Sequence, residues 1–193
     1  MERKPTLTTI AIEKLHPHPD NPRKVLGDID ELADSIKASG ILQNLTVVPM
    51  NDDWTEFTVI IGHRRLAAAK QAGLTELPCA VVKMTEKEQL STMLTENMQR
   101  SDLTVYEEAK GCQLLLDLGD TVAEVAEKTG FSESKIRRRV KLCELDEEAF
   151  KESQIRQPTL ADYDRLNQIK DIDTRNKLLK TIGTNNFDNL LYS

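Results

Sequence analysis

The chain has 193 residues, 39% of them hydrophobic, which suits one or two small domains with real cores. Its net charge of −6 argues against a protein that coats nucleic acid indiscriminately through overall basicity. No stretch is long and apolar enough to span a bilayer, and the N-terminal residues lack the apolar segment of a signal peptide, so we expect a cytoplasmic protein without membrane partners.

Strands and helices alternate in the first part of the chain. Runs of β-branched and apolar residues predict four strands, at residues 8–12, 45–49, 57–61 and 78–82. Helices are predicted at residues 29–39 and 63–72, each followed by a glycine that can end a helix, Gly40 and Gly73. A polar turn at residues 51–53 joins the second and third strands. This alternation predicts a small α/β domain, which we place at residues 1–100.

Helical patterns fill the remainder of the chain. Thr85 and Glu88 form a capping box ahead of a helix that should run to about Asn97. From residue 102 onward the pattern is helical throughout, with breaks at Pro158 and Gly183. We therefore predict an α+β fold in which an all-helical domain, residues 101–193, follows the α/β domain.

A helix-turn-helix is predicted at residues 121–142. Thr121 can cap a first helix, Gly130 allows the turn, and Ser132 can cap a second helix. Ile136 and Val140, four residues apart, would form the buried side of that second helix. Residues 132–142 are then the recognition helix, the part of such a motif that enters the major groove of DNA.

Cations are concentrated on this helix, where five of the seven residues from 135 to 141 are Lys or Arg. We predict base-edge contacts by Ser134, Lys135 and Arg138, phosphate contacts by Arg137, Arg139 and Lys141, and a place for Ser132 on the same surface. Arg139 stands where such motifs usually carry an apolar residue. The sequence leaves open whether the helix is shifted or the arginine reaches water from a buried position.

An anion site is indicated at Gly62, where an apolar strand ends and an alanine-rich helix begins. The free N–H groups of a first helical turn attract phosphate, and Arg64 and Arg65 add positive charge at that point. Strand-glycine-helix junctions are common, however, and arginines in a first turn are often simply solvent-exposed.

Four ordered boxes carry a family resemblance. They are Asn21-Pro22-Arg23, the run GILQNLTVVP at residues 40–49, the run GHRRLAAA at residues 62–69, and the run ENMQRSDLTVYEEA at residues 96–109. Together they resemble the ParB family over about residues 8–145, and four boxes in order are more specific than any one alone. The resemblance implies a nucleotide-binding N-terminal domain followed by a helix-turn-helix.

The resemblance also implies a ligand, CTP with Mg²⁺. The nucleotide site would comprise Arg23, Gly40, Gln43, Thr46, Gly62, His63, Arg64, Arg65, Asn97 and Arg100. Glu96 and Asn97 would hold the magnesium ion, since carboxylate and amide oxygens suit that hard cation. Gln43 would face the pyrimidine base.

Slow CTP hydrolysis is a further implication, with His63 and Glu96 as the catalytic candidates. Many members of the family have glutamate where this chain has His63, and an imidazole can activate water only in a suitable tautomer and protonation state. Asn44 replaces a family proline, which loosens the loop expected to contact the base.

The implied function is a nucleotide-switched clamp on DNA. We expect a dimer bound to a palindromic centromere-like site on double-stranded DNA, associated with a nucleoid or plasmid, and a ParA-type ATPase as a further partner. One alternative is a transcriptional regulator that keeps the ParB scaffold without nucleotide hydrolysis.

A sulfiredoxin-like redox enzyme is the remaining alternative. Its phosphate loop carries a reactive cysteine, and the corresponding run here, Ile61-Gly-His-Arg64, has none. Cys79, Cys112 and Cys143 are widely spaced, so we interpret them as reduced packing residues.

Overall fold

The computed structural model describes residues 4–191. The chain forms two compact units, with the boundary between Asn97 and Met98. The first unit contains a β-sheet and helices, and the described part of the second is helical. The predicted α+β fold class is confirmed.

A mixed sheet of five strands organises the described part of the first unit. The strands are β1 (Thr6–Ala11), β2 (Leu15–Pro17), β3 (Leu45–Pro49), β4 (Phe57–Ile61) and β5 (Glu76–Val81), in the spatial order β1-β5-β3-β4-β2. β3 pairs antiparallel with β4, with Thr46 opposite Ile61. Because the strands are antiparallel, the loop before β3 lies next to the turn after β4.

Three helices cover the two faces of this sheet. They are α1 (Asp30–Ser39), α2 (His63–Gln71) and α3 (Glu86–Met98). Ile36 of α1 and Leu66 of α2 join the main core on one face. Met93 of α3 packs with Val48 and Ile60 on the other face. Side chains of β3 and β4 therefore point alternately into the cores on the two faces of the sheet, as expected for pleated strands.

The predicted strands 45–49 and 57–61 have the observed bounds, whereas the edges of the sheet differ. β1 and β5 each begin two residues before the predicted start and end one residue before the predicted end. The sequence also gave no sign of a 3-10 turn at Ile12–Lys14 or of β2. β2 has only three residues, and it is an edge strand held by its parallel pairing with β4.

The second unit is built from short helices. They are α4 (Val105–Asp117), α5 (Val122–Thr129), α6 (Glu133–Leu142), α7 (Glu147–Ser153), α8 (Leu160–Gln168), α9 (Ile172–Leu179) and α10 (Asn185–Leu191). Phe150, Tyr163 and Phe187 are almost completely buried in its core, together with Leu142 from α6. None of the helices in residues 4–191 is long and apolar enough to cross a membrane.

Candidate anion site and nucleic-acid interface

Gly62 forms a tight junction between β4 and α2. Its φ of 109° lies in the left-handed region that favours glycine, and a Cβ there would approach Leu45 Cγ to 3.0 Å. Within the described residues, no side chain caps the start of α2. The first turn of α2 thus combines a close backbone approach with uncapped N–H groups, which fits an anion.

Arg65 connects this helix start to the loop before β3. Its Nη1 donates hydrogen bonds to the main-chain oxygens of Gln43 and Asn44, at 2.5 and 2.8 Å. Burial lowers the pKa of the guanidinium, and the negative charge of Glu96 opposes that shift. Arg65 therefore binds the loop of residues 40–44, the glutamine loop, to the first turn of α2, and Glu96 near the end of α3 is close enough to affect its charge.

Arg64 is held in a comparable way by the loop before α1. Its Nη2 donates to the Asp28 carbonyl oxygen at 2.7 Å. Its Nε is buried and has no hydrogen-bond partner among the described residues. Both arginines thus point their donors at neutral carbonyl oxygens, which a more negative phosphate oxygen would outcompete.

The glutamine loop and the start of β3 carry three further predicted site residues. Gly40 ends α1 with a φ of 70°, Gln43 is exposed, and Thr46 is half-buried at the start of β3. The pairing of β3 with β4 brings this loop to Gly62. The structure therefore groups Gly40, Gln43, Thr46, Gly62 and Arg65, with Glu96 close enough to influence the Arg65 charge.

Two residues that were predicted to bind the nucleotide, Arg100 and Arg23, make hydrogen bonds to other residues of the chain. Arg100 lies in the second unit, where its guanidinium makes two bonds to the Asp102 carboxylate, at 2.9 and 2.7 Å. The main chain of Arg23 closes a turn by donating to Asn21 Oδ1. Arg23 also lines a cavity of about 280 Å³ with His63 and Lys70.

The predicted metal ligands, Glu96 and Asn97, are too few to complete the coordination of a metal ion by themselves. Glu96 is exposed and Asn97 is half-buried near the end of α3. Among residues 4–191, no group of three or more His, Cys, Asp or Glu side chains could hold a metal ion. Two oxygen ligands nevertheless fit Mg²⁺, since this ion commonly takes one or two protein ligands and completes its shell with phosphate and water.

His63, the predicted catalytic histidine, makes a hydrogen bond within the first unit. Its Nε2 accepts a hydrogen bond from the His18 N–H at 3.2 Å. Burial and the charge of His18 lower the pKa of His63, and a hydrogen bond with the Val59 backbone opposes that shift. A neutral imidazole has one accepting nitrogen, and His63 uses it for the bond from His18, so activation of water would require that bond to open.

The cysteines are poor candidates for redox chemistry. Cys79 lies in β5 and Cys112 in α4, both are almost fully buried, and burial raises the pKa of each thiol to about 11. Burial also raises the pKa of the Cys143 thiol. A thiol with a raised pKa supplies little thiolate at neutral pH, which disfavours the sulfiredoxin-like alternative.

The second unit contains the helix-turn-helix elements at α5 and α6. Thr121 and Glu124 form the capping box of α5, and Gly130 ends that helix with a φ of 75°. Ser132 caps α6 by accepting from the Lys135 N–H. The helices, turn and caps therefore lie where the sequence predicted them.

Three of the predicted DNA-binding cations lie on the outer side of α6. Arg137 pairs with Glu133 at 3.0 Å, and Arg138 pairs with Asp164 of α8 at 3.1 Å. Lys141 donates to the Asn167 carbonyl oxygen. These cations line a groove of about 490 Å³, and Ser134 is also exposed. The outer surface of α6 is thus positively charged and accessible.

Arg139 and Lys135 have different surroundings from those predicted. The Arg139 side chain is only 7% exposed, and its Nε donates to Glu108 Oε2 at 2.7 Å. Lys135 Nζ lies 2.7 Å from Glu108 Oε1 and 3.4 Å from the centre of the Phe131 ring. Arg139 thus lies in the interior of the second unit and Lys135 is paired within it, so a DNA contact by either residue would require its bond to Glu108 to open.

The sequence analysis missed the acidic partners of these cations. Glu108 of α4 is one, and its only sequence signal is membership of the EEA end of the fourth box. Asp164 and Asn167 of α8 also contact α6, through Arg138 and Lys141. These contacts join residues 26 to 31 positions apart, so no local pattern could reveal them.

Comparison with known proteins places the chain in a family. Residues 1–98 match the family of ParB N-terminal domains. The chromosome-partitioning protein Spo0J of Thermus thermophilus is 40% identical over 143 residues, which cover 73% of this chain and 52% of the relative. A probable chromosome-partitioning protein ParB of Xylella fastidiosa is 38% identical over 142 residues, covering 72% of this chain and 45% of the relative.

A solved structure is similar over both units. It is a C-terminally truncated chromosome-partitioning protein ParB of Caulobacter crescentus, complexed to the centromeric parS site. The match has a TM-score of 0.71 and 27% identity, and it covers 90% of this chain and 91% of that chain. The present chain spans about half the length of the curated relatives it matches.

The half-buried His63 predicts a pH-dependent stability. Burial, followed by the charge of His18, lowers its pKa from 6.5 to about 4. Between these two values the unfolded chain binds more protons than the folded chain, so stability should fall as the pH drops through this window. In urea titrations at several pH values, His63→Gln should lose less stability on acidification than the parent chain. An identical pH dependence in both proteins would contradict the assignment.

Proposed function

Because the chain belongs to the ParB family, we propose that it is a DNA-binding protein with a nucleotide switch. The helical unit would recognise a palindromic site through α6, and the first unit would bind CTP with Mg²⁺. The observation that carries the nucleotide part is the uncapped start of α2 at Gly62, with Arg65 bound to two neutral carbonyl oxygens. That arrangement offers donors to a phosphate without breaking a buried ion pair.

The nucleotide would lie between the glutamine loop and α2. Gly62, Arg64 and Arg65 would bind its phosphates, while Gln43 and the main chain of its loop would face the base. Glu96 and Asn97 would hold Mg²⁺, which when bound neutralises phosphate charge. Arg65 already connects the loop that would bind the base to the helix start that would bind phosphate. Phosphate binding by Arg65 would therefore change the contacts of the base-binding loop.

Chromosome partition is the biological role that we propose. Both curated relatives described above are named as chromosome-partitioning proteins, and the similar Caulobacter structure holds the parS site. We further propose a dimer, since a palindromic site has the two-fold symmetry that two copies of α6 would match. A ParA-type ATPase is the proposed partner, and association with a nucleoid or plasmid is the proposed location.

A transcriptional regulator without nucleotide hydrolysis is the second candidate. The observation that favours it is the position of His63, whose Nε2 already accepts a hydrogen bond from the His18 N–H. Measuring release of labelled phosphate from CTP, with and without operator DNA, separates the two candidates. Turnover that DNA stimulates would support the partition clamp, and binding without turnover would support the regulator.

The nucleotide site predicts a selective loss in Arg65→Ala. In isothermal titration with each of the four ribonucleoside triphosphates and Mg²⁺, the parent should bind CTP and the variant should bind none of them. Lys87→Ala removes an exposed cation from the first turn of α3 and is the matched control. Circular dichroism checks that the variants fold. If Arg65→Ala binds CTP like the parent, the anion site is misplaced.

The metal assignment predicts a change in magnesium dependence. Glu96→Gln keeps the shape of the side chain but removes the charge that attracts Mg²⁺, so CTP affinity should respond much less to added Mg²⁺ than in the parent. Glu86→Gln, an exposed change in the first turn of the same helix, should behave like the parent. If Glu96→Gln responds to Mg²⁺ like the parent, Glu96 is an exposed helix residue that does not bind the metal.

The outer cations of α6 predict two different effects on DNA binding. Arg137→Ala should weaken binding to every duplex and lower the slope of log affinity against log salt by about one unit, because a phosphate contact releases counterions. Arg138→Ala should cost about 1 to 3 kcal/mol on the preferred site and little on random DNA. A duplex selected from a randomised pool supplies the preferred site.

Filter-binding titrations over a salt series measure both effects. Lys151→Ala removes one exposed charge from α7 and controls for a general change in net charge. If both α6 variants bind all duplexes like this control, then α6 is not the recognition helix.

A further inference from the structure

Glu108 forms an ion triad with two cations of α6. Its two carboxylate oxygens each accept one hydrogen bond of 2.7 Å, from Lys135 Nζ and from Arg139 Nε. The Glu108 side chain is 15% exposed and that of Arg139 is 7% exposed, so this part of the triad is shielded from water. The triad therefore joins α4 to α6 through directional bonds in a low-dielectric setting.

Arg139 occupies the centre of the buried side of α6. On a helical wheel it lies between Ile136 and Leu142, about 60° from each. Both of those neighbours are completely buried. An aliphatic residue at position 139 could pack in the core at several rotations of α6 about its own axis. A guanidinium that is bonded to a fixed carboxylate allows only one of these rotations.

The residues on the opposite side of α6 form its outer arc. Arg137, Lys141, Ser134 and Arg138 fall in that order within about 100° of the wheel. A rotation of α6 would move all four together relative to the bases of a bound duplex. The position of this arc thus depends on whatever holds the inner side of the helix.

Stability alone is a weak explanation for the triad. Buried ion pairs pay a desolvation cost that often cancels their attraction, and apolar replacements of similar volume are frequently neutral or stabilising. Polar groups in such positions are best known for fixing register. The helix-turn-helix pattern itself calls for an apolar residue at position 139, which makes the arginine a departure that stability does not require.

We infer that Glu108 is a positioning residue for DNA recognition: through Arg139 and Lys135 it fixes the rotation of α6 and thereby the base specificity of the outer arc. This inference rests on the proposed DNA-binding function. It assigns a specificity role to a residue that contacts no base, and it removes Arg139 from the set of phosphate contacts.

The test compares two ways of removing the triad in the full chain. Glu108→Gln breaks it and leaves two cations without their full partner, so this variant should melt at a lower temperature. The double change Glu108→Leu with Arg139→Leu removes one negative and one positive charge, so the net charge is unchanged. This double variant should keep the parental helix content and melt at or above the parental temperature.

DNA binding of the double variant decides the inference. The measured quantity is the affinity for a selected duplex divided by that for a random duplex, at several salt concentrations. This ratio should fall by about tenfold, the value of one lost base contact. The affinity for random DNA and its salt slope should stay at the parental values, because neither changed residue contacts phosphate. A merely structural role would leave the ratio unchanged in a variant that remains folded.

Asp120→Asn is the matched control. It breaks the Lys128–Asp120 pair of α5, which has the same length of 2.7 Å and a carboxylate of similar exposure, 12%, but does not involve α6. This variant should keep the parental ratio.

The outcomes separate the inference from the function on which it rests. A parental ratio in the folded double variant overturns the inference alone, and so does a salt slope lowered by about one unit, which would make Arg139 a phosphate contact. A parent chain that prefers no duplex overturns the proposed DNA recognition together with the inference.

Discussion

The conformation of Gly62 is the constraint on which the geometry of the first unit depends. Its left-handed backbone ends β4, begins α2 without a side-chain cap, and brings the main chain against Leu45. Because β4 pairs with β3, the same turn faces the glutamine loop, and Arg65 can reach the Gln43 and Asn44 carbonyl oxygens. A Cβ at position 62 would disturb the turn, the helix start and this bridge together.

The chain uses arginine in two physically different ways. Arg64 and Arg65 donate to neutral main-chain oxygens at partly exposed positions, and such bonds exchange readily for bonds to a charged phosphate. Arg139 donates to a carboxylate in a shielded position, where losing the partner would leave an uncompensated charge. The acceptor and the burial, more than the residue type, separate the arginines that we propose as phosphate ligands from the arginine of the buried ion pair.

The sequence predicted local features well and long-range ones poorly. The bounds of β3 and β4, the Thr121 capping box and the Ser132 cap depend on neighbouring residues, and each appears in the structure. β2 depends on pairing with a strand some 40 residues away, as the Leu15–Phe57 register shows. The surroundings of His63 and Arg139 could not be predicted for the same reason, since their partners His18 and Glu108 lie 45 and 31 residues away.

The revised charge distribution bears on how the chain would bind DNA. With Lys135 and Arg139 paired to Glu108, the outer arc of α6 retains three cations, and two of these lie beside Glu133 and Asp164. Exposed ion pairs are weak, so a phosphate can replace either carboxylate at little cost. The nearby carboxylates and the net charge of −6 nevertheless reduce the general attraction to DNA. The proposed DNA recognition would therefore depend more on correctly placed contacts than on charge, and the rotation of α6 would matter more than the number of its cations.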